Sequence, residues 1–355
     1  MAVDYAKELN ALLEIVVEKH GSDLHLAVGH NPTVRVKGVL EPITDKPVLT
    51  EADVRAFAEQ LMTEHRLSIY TESLEADFSY TSNAGARFRG HAYNQRNQPG
   101  LVLRYIPGEI KSVESLNLPP ILYSFAQKRQ GFFLCVGPVG QGKSTTLAAL
   151  VNYINENRSE HIVTIEDPIE YLYTSNKSMI DQREVGIDTH SFEAGLAAAF
   201  RQDVNVLLIG EMRNRETIAT AVTAAETGHL VFSTLHTNNA AQTISRIIDS
   251  FPGDTQDQIR LQLASSLVGI FSQRLLPSND GPLIPAYELM VNNNAVANLI
   301  REDRIHEIDA VIETGLEQGM VDMNRSLVDL VKKGHITVET AFAYSHNPKA
   351  LERLI

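Results

Sequence analysis

The sequence predicts an α/β fold in which a small α+β domain precedes a larger domain built on a parallel sheet. Beyond residue 120, short apolar runs alternate with stretches of helical periodicity, the pattern of a parallel sheet covered on both faces. Before residue 107, short strands of alternating polarity follow one another, which favours an antiparallel sheet. A glycine-rich loop that joins a strand to a helix at residues 137–145 is the third observation behind the prediction.

Length and composition set limits on the function. A chain of 355 residues, 43% of them hydrophobic, is long enough for about two domains with packed cores. The formal net charge of −13 disfavours a sequence-independent grip on nucleic acid. The one cysteine, Cys135, lies in a predicted strand and cannot form an internal disulfide, which fits a reducing cytoplasm. Without a signal peptide or a run of 18 apolar residues, we expect a cytoplasmic protein whose association with any membrane goes through a protein partner.

Residues 1–106 are predicted to form the small α+β domain. An amphipathic helix over 4–19 opens it, and Thr50 with Asp53 resembles a capping box before a helix that runs to about Met62. Strands are predicted at 22–28, 33–37, 77–80, 86–93 and 101–106. Residues 107–120 carry three prolines and are predicted to be a stiff linker.

Residues 121–355 are predicted to be the larger domain. Its buried parallel strands are expected at 132–136, 161–165, 204–209 and 230–235. The last hundred residues are predicted to be mostly helical, with helices at 256–271, 295–302, 306–317 and 324–332.

The loop after the first of these strands matches the phosphate-binding pattern G-x-x-x-x-G-K-[ST]. Its residues are Gly137, Pro138, Val139, Gly140, Gln141, Gly142, Lys143, Ser144 and Thr145. Glycines let backbone N–H groups converge on phosphate oxygens, and the following helix adds the positive end of its dipole. We expect Lys143 to reach the β- and γ-phosphates of ATP, and the Ser144 hydroxyl to bind Mg²⁺.

Acidic residues follow two of the other predicted strands, at the edge of an open α/β sheet where ligands bind. The Glu166 carboxylate could hold a water molecule and accept its proton, although an acidic turn at the end of a strand explains the residue equally well. Glu211 matches the metal-facing acid of phosphate-loop ATPases, displaced by one glycine from the end of its strand. The alternative for Glu211 is a salt bridge with Arg213 or Arg215.

Histidines and arginines complete the set of candidate residues. His229 and His236 flank the strand at 230–235, and His236 is the better candidate for a γ-phosphate sensor because acids end the neighbouring strands. A structural role remains the alternative for both histidines. Arg89 and Arg104 of the N-terminal domain are the leading candidates for an arginine that a neighbouring subunit inserts during phosphoryl transfer, and a solvated surface position is the alternative for each.

Together these motifs resemble those of the secretion ATPase superfamily and, within it, of the PilT-type family of pilus retraction ATPases. The resemblance covers nearly the whole chain. It is carried by the segments 22–26, 165–170, 182–186, 208–213, 228–237 and 246–252. The phosphate loop alone would identify only an NTPase.

The resemblance implies a PAS-like N-terminal domain joined to a RecA-like P-loop ATPase domain. It implies a homo-hexameric ring with ATP and Mg²⁺ at the subunit contacts, which docks on an inner-membrane pilus platform protein and acts indirectly on the pilin fibre. It also implies that Glu166 activates water, that Glu211 and Ser144 serve Mg²⁺, and that His229 and His236 sense or orient the phosphate. The expected function is pilus retraction, driven by ATP hydrolysis that rotates one domain against the other.

Three alternatives remain at this point. Pilus extension or secretion ATPases of the same superfamily usually carry a four-cysteine zinc insertion, which a chain with one cysteine cannot build. The net charge of −13 disfavours a RecA-like nucleic-acid motor, so no nucleic acid is expected as a partner. The occurrence of Glu166, Glu211 and His236 together disfavours a subunit that binds ATP without hydrolysing it. A family motif tied to retraction matches the helix at 295–302, where this chain has Ala297 in place of the usual arginine.

Overall fold

The computed structural model describes residues 4–106, 108–279 and 281–355 and divides the chain into two compact units. The first unit comprises the described residues of Met1–Glu109 together with Asp167–Leu172, and the second comprises those of Ile110–Glu166 and Tyr173–Ile355. Among the residues described, none of the helices has the length and apolar character needed to cross a lipid bilayer.

The first unit is a six-stranded antiparallel sheet with three helices. In chain order its elements are α1 (Tyr5–Glu18), β1 (Asp23–Ala27), β2 (Thr33–Val36), β3 (Val39–Pro42), α2 (Glu51–Leu61), α3 (Glu64–Ser73), β4 (Glu75–Thr81), β5 (Arg87–Gln95) and β6 (Gln98–Ile106). The strand order is β3-β2-β1-β6-β5-β4, so β1 and β6 lie at the centre. Leu9, Leu12 and Leu13 of α1 are fully buried in the core of this unit.

The helices and strands predicted in the first unit are confirmed where they have a buried face or a capping residue. The Thr50 hydroxyl accepts from the Asp53 amide at 3.3 Å, and the Asp53 carboxylate accepts from the Thr50 amide at 2.8 Å, which completes the predicted capping box. Strand β3 was not predicted, because none of its side chains is buried and the sequence therefore carries no alternation there. Helix α3 was missed for a similar reason, since only Tyr70 is buried.

The second unit is a seven-stranded mixed sheet with helices on both faces. Its elements are α4 (Leu122–Ala126), β7 (Gly131–Val136), α5 (Lys143–Asn157), β8 (His161–Glu166), β9 (Met179–Glu184), α6 (Phe192–Ala199), β10 (Val206–Ile209), α7 (Arg215–Glu226), β11 (Leu230–Leu235), α8 (Ala240–Asp249), α9 (Gly253–Ser266), β12 (Leu267–Pro277), β13 (Leu283–Val291), α10 (Asn294–Arg301), α11 (Ile308–Thr314), α12 (Met323–Lys332), α13 (Val338–Tyr344) and α14 (Pro348–Glu352). Single 3₁₀ turns cover Ile305–Glu307 and Leu316–Gln318.

Strand β7 shows why the central strands read as continuous apolar runs. All six of its residues are buried. Phe132 and Leu134 belong to the core that includes residues of α7, α8 and α9, whereas Phe133 and Cys135 belong to the core that includes residues of α5. A strand covered on both faces needs apolar residues at every position, so the prediction of a doubly covered sheet is confirmed.

The prediction that the last hundred residues are mostly helical is wrong in one place. The sheet runs β13-β12-β7-β11-β10-β8-β9, with β12 parallel to β7 and β13 antiparallel to β12. The helix predicted at 256–271 ends at Ser266, and Leu267 already begins β12. Residues 267–271 form a short apolar run, and periodicity alone cannot distinguish a buried strand from a buried helix segment in such a run.

The stretch predicted as a linker, residues 107–120, mostly packs onto the second unit. Pro107 lies outside the described residues, and the second unit begins at Ile110. Val113 and Leu118 are buried in a core that also holds Phe133 of β7. The apolar side chains between the prolines therefore anchor this stretch, which proline content alone could not indicate.

One carboxyl group is buried where β13 pairs with β12. Glu288 lies opposite Ser272 in this pairing and is 7% exposed. One of its oxygens accepts from the Ala240 amide, the first residue of α8, at 2.8 Å. Burial raises the pKa of Glu288 to about 7, and the charges of Asp309 and Asp322 add to that shift.

The raised pKa of Glu288 predicts how stability depends on pH. The ordinary value is 4.5, so between pH 4.5 and about 7 the folded protein binds a proton that the unfolded chain releases. The contribution of Glu288 to the free energy of unfolding is therefore fully present below pH 4.5 and is lost as the pH rises through about 7. We expect the melting temperature of Glu288→Gln to fall less than that of the parent protein as the pH rises from 4.5 to about 7, because the amide cannot ionise. Thermal melts at several pH values, with the exposed Glu352→Gln as control, test this, and parallel profiles for parent and Glu288→Gln would contradict it.

Candidate nucleotide site

The phosphate loop joins β7 to α5, as predicted, and its backbone requires glycine. Gly137, Gly140 and Gly142 have φ values of 148°, 77° and 77°, a region that residues with a Cβ rarely adopt. Gly142 is also the N-cap of α5. A glycine N-cap contributes no side-chain oxygen that would compete with a bound anion for the amides of the first helical turn. Val139, at the tip of the loop, is 80% exposed.

Lys143 is the first residue of α5 and is 7% exposed. Its Nζ donates to the carbonyl oxygens of Gly137 and Pro138, each at 2.8 Å. The same Nζ lies 3.3 Å from Nδ1 of His236. The ammonium group is therefore positioned inside the loop.

His236 lies between Lys143 and Glu211. Its Nδ1 faces Lys143, and its Nε2 is 3.4 Å from the Glu211 carboxylate. Because an ammonium can only donate, Nδ1 accepts, and Nε2 carries the proton directed at Glu211. Glu211 also forms an ion pair with Arg213, so the predicted alternative of a salt bridge occurs together with the histidine contact.

Glu166 ends β8 at the same edge of the sheet. It is 7% exposed, and its Oε1 accepts from the Thr164 hydroxyl at 2.7 Å and from the Gln182 amide at 3.4 Å. Strands β8, β10, β11 and β7 are parallel neighbours, so the residues that follow them meet at one edge. A Cβ on Gly210 would lie 3.4 Å from Cα of Glu166, an ordinary van der Waals contact, so the two strand ends lie side by side without requiring glycine there.

His229 is not brought to this edge. It precedes β11, and the Gly131 amide at the start of β7 donates to its carbonyl oxygen. Its Nδ1 is 2.9 Å from the Ala224 carbonyl oxygen, and its ring meets Phe200 edge-to-face at 5.5 Å. Within one chain these contacts give His229 a structural environment at the opposite end of the strand.

Arg89 and Arg104 belong to the first unit, where each contacts an acid. Arg104 Nε donates to the buried Asp23 carboxylate at 2.9 Å, and Arg89 lies 3.6 Å from Glu170. The Arg104 side chain is 69% exposed. Burial raises the pKa of Asp23, but the hydrogen bonds from Ser22 and Arg104, together with the charges of Arg104 and His25, lower it by more, so the pKa lies below its ordinary value.

Mg²⁺ fits this site as an ion shared with a nucleotide. The described part of the chain contains no cluster of three or more His, Cys, Asp or Glu side chains that could hold a metal on its own. An ion that accompanies a nucleotide needs few protein ligands, because phosphate and water oxygens complete its shell. The Ser144 hydroxyl in the first turn of α5 and the Glu211 carboxylate beyond β10 are oxygen donors of the type that Mg²⁺ prefers.

Some residues that shape this edge were missed by the sequence analysis. Gln182, on β9, donates to Glu166, and Gln273, on β12, accepts from the Thr146 hydroxyl at 2.6 Å. Gln141 was predicted as part of the phosphate loop, but its contact with β12 was not: its side-chain oxygen accepts from the Leu275 amide at 2.7 Å. Gln182 lies in one of the segments that carried the family resemblance, whereas β12 was not recognised as a strand and gave no reason to place Gln273 beside the loop.

Comparison with known proteins identifies relatives across most of the chain. A family model described as type II/IV secretion system protein matches residues 4–282. A twitching motility protein of Neisseria gonorrhoeae is 44% identical over 321 residues, which cover 90% of this chain and 86% of that protein. From Pseudomonas aeruginosa, the type IV pilus retraction ATPase PilT is 41% identical over 334 residues (94% and 97% coverage), and the type IV pilus ATPase PilU is 40% identical over 349 residues (98% and 91%).

A solved structure agrees with the fold. The crystal structure of the pilus retraction motor PilT with bound ADP superposes with a TM-score of 0.90 at 43% identity, covering 97% of this chain and 99% of that one. The predicted α/β fold class, with an N-terminal domain before an ATPase domain, is thereby confirmed. Because the family model covers residues 4–282 and the relatives are at least 40% identical over most of their length, the chain belongs to the type II/IV secretion system protein family as a PilT-like ATPase.

Proposed function

We propose that this chain hydrolyses ATP at the phosphate loop and uses the energy to power retraction of type IV pili. One observation carries the proposal: Lys143, His236 and Glu211 are linked by direct contacts at the sheet edge where Glu166 also lies. A cation, an imidazole and carboxylates beside a phosphate loop can bind the phosphates, orient a water molecule and accept its proton, which are the tasks of phosphoryl transfer to water.

In the proposed reaction, each of these side chains has a defined task. Lys143 leaves the carbonyl oxygens of Gly137 and Pro138 and donates to the β- and γ-phosphate oxygens. Glu166 accepts a proton from the attacking water at a carboxylate oxygen, and Thr164 and Gln182 keep that carboxylate oriented.

The remaining tasks concern the charge on the phosphates. His236, freed from Lys143, donates to or orients the γ-phosphate. When bound to Ser144 and, through water, to Glu211, Mg²⁺ would neutralise charge on the phosphate oxygens. The roles of Glu166 and Glu211 rest on their positions after neighbouring parallel strands.

The proposal extends to assembly. The chain forms a homo-hexamer in which Arg104 or Arg89 of one subunit reaches the nucleotide held by its neighbour, where a planar guanidinium suits phosphate oxygens. The ring works in the cytoplasm at an inner-membrane platform protein, and the pilin fibre is moved indirectly. His229 acts in this reaction only if a neighbouring subunit brings a nucleotide to its end of β11.

A type IV pilus ATPase other than the main retraction motor is the second candidate function. The observation that favours it is the likeness to the type IV pilus ATPase PilU, which at 40% identity over 98% of this chain nearly equals the likeness to PilT. At the position of α10 where the retraction-linked family motif usually has arginine, this chain has Ala297, which is 7% exposed and lies in the core of the second unit.

The chemical role of the site is tested by Lys143→Ala and Glu166→Gln. We expect turnover to fall at least about 100-fold in each, because one removes the phosphate contact and the other the proton acceptor. Glu166→Gln should still bind nucleotide, since the amide keeps the shape of the carboxylate. Phosphate release and nucleotide titration measure both properties, with the exposed Lys128→Ala and Glu156→Gln as controls, and unchanged turnover in both test variants refutes the assigned site.

Sharing of sites between subunits is tested by mixing two inactive variants. A ring that contains both Arg104→Ala and Lys143→Ala subunits has some contacts where an intact lysine meets an intact arginine. At equal amounts we expect about a quarter of parent activity if the arginine acts in trans. Mixtures that stay inactive at every ratio, although mass measurement shows mixed rings, contradict a trans role for Arg104.

The cellular function is tested by deleting the gene. Loss of the main retraction motor should leave cells with excess surface fibres that do not twitch, and loss of an accessory motor should weaken retraction only under load. Cells without fibres would instead indicate an extension ATPase. Electron microscopy of fibres and a twitching assay, with Lys143→Ala expressed from the same locus as a matched control, distinguish these outcomes.

A further inference from the structure

Strand β12 lies directly against the phosphate loop. In the parallel pairing of β12 with β7, Ser272 stands beside Val136, so the residues after Ser272 run alongside the start of the loop. A Cβ on Gly137 would lie 2.5 Å from the Gln273 carbonyl oxygen and 3.2 Å from Nη1 of Arg274. The loop therefore passes this strand at a distance that only glycine permits.

Arg274 connects this strand to the segment that follows β11. The residue is 8% exposed, and its Nη1 donates to the Gln273 carbonyl oxygen at 2.9 Å. Its Nη2 donates to Asn238 twice, to the side-chain oxygen at 2.9 Å and to the carbonyl oxygen at 3.3 Å. The Ser272 hydroxyl donates to the same carbonyl oxygen at 2.8 Å, so Asn238 is held on β12 by three hydrogen bonds.

Asn238 comes two residues after His236, and the residue between them is fixed as well. Thr237 is buried, and its hydroxyl lies 2.6 Å from the hydroxyl of Thr243 on α8. The His236 side chain itself is 45% exposed, and its two ring nitrogens contact Lys143 and Glu211. The imidazole can reach both groups only from a backbone position that the hydrogen bonds of Arg274 help to fix.

We infer that Arg274 is a positioning residue, which acts through Asn238 to hold His236 between Lys143 and Glu211. The inference rests on the proposed role of His236 in ATP hydrolysis. It assigns to β12 a function in catalysis that neither the phosphate loop nor the acidic residues supply.

The contacts explain why the residue is arginine. A planar guanidinium can donate at the same time to an oxygen of its own strand and to two oxygens of Asn238, whereas an ammonium on a flexible stem cannot span them. The buried Glu288 of β13 interacts electrostatically with Arg274, whose positive charge lowers the pKa of that carboxyl group against the larger effect of burial. Asp309, Asp322 and His346 are the other titratable groups around this pair.

The test is a double-mutant cycle between Arg274→Lys and His236→Ala. We expect Arg274→Lys to lower kcat for ATP hydrolysis about tenfold or more while KM for ATP stays within about threefold, because a displaced histidine affects the reaction more than the binding of ATP. In the His236→Ala background the same substitution should change kcat less than about twofold. Asn238→Ala, which removes one of the two oxygens of Asn238, should give an intermediate loss.

Arg158→Gln is the matched control. Arg158 lies at the other end of α5 and also donates to two backbone carbonyl oxygens, those of Ala126 and Lys128. We expect Arg158→Gln to lower the melting temperature without lowering kcat. A loss of kcat in Arg274→Lys at equal or smaller thermal destabilisation is then not a general effect of losing an arginine that holds backbone carbonyl oxygens.

Several results would overturn the inference. These are a kcat within twofold of the parent protein, a rise in KM at unchanged kcat, or an equal loss in the parent and His236→Ala backgrounds. If His236→Ala alone leaves kcat unchanged, the proposed role of His236 is wrong, and the inference about Arg274 is wrong with it. If His236→Ala lowers kcat but Arg274→Lys lowers it equally in both backgrounds, only the inference about Arg274 is wrong.

Discussion

The parallel pairing of β7, β11, β10 and β8 is the constraint on which the candidate site depends. Parallel strands end at the same edge of a sheet, so the phosphate loop, His236, Glu211 and Glu166 meet there although they are far apart in sequence. The strands can adopt this arrangement only because they are apolar on both faces, with helices covering each side. The chemistry at the edge is therefore a consequence of burial in the middle of the sheet.

Within that edge, a neutral imidazole separates a cation from an anion. Lys143 donates to Nδ1 of His236, and Nε2 of His236 faces Glu211. The contact with Lys143 and the contact with Glu211 therefore polarise the imidazole in the same direction. In the proposed reaction, a γ-phosphate that enters the loop takes N–H donors of the Lys143 ammonium, which now face Gly137, Pro138 and His236. Binding of the phosphate and release of the histidine are then linked through this one ammonium group.

Sequence alone was sufficient for features that have a local physical cause. The phosphate loop, the capping box of Thr50 and Asp53 and the buried strands all impose residue types within a few positions of each other, and each was predicted close to its observed bounds. What sequence could not supply is long-range pairing. The apolar run that begins β12 fits a buried helix segment as well as a buried strand, and pairing with β7, a contact distant in sequence, makes it a strand.

The sequence distinguished the two ends of β11 only in part, because it favoured His236 from the acids that end neighbouring strands but kept His229 as a candidate. His229 and His236 both flank the strand, yet only the second lies at the carboxyl edge. A rule based on chain direction, that ligands of parallel sheets bind beyond the carboxyl ends of the strands, separates them once the strand is known to be parallel.

Arg104 shows how far the contacts of one chain can support a role in an assembly. The Asp23 carboxylate, which is buried, takes only Nε of the guanidinium, and the described residues give the two terminal nitrogens no hydrogen-bond partner. An arginine that served only to stabilise its own unit would direct more of its donors inward, as Arg158 does with four hydrogen bonds. A guanidinium held at its base and 69% exposed keeps its fork directed at solvent. That arrangement suits a group whose partner is supplied by another molecule, and it makes Arg104 a better candidate than Arg89, which contacts Glu170 through one of its terminal nitrogens.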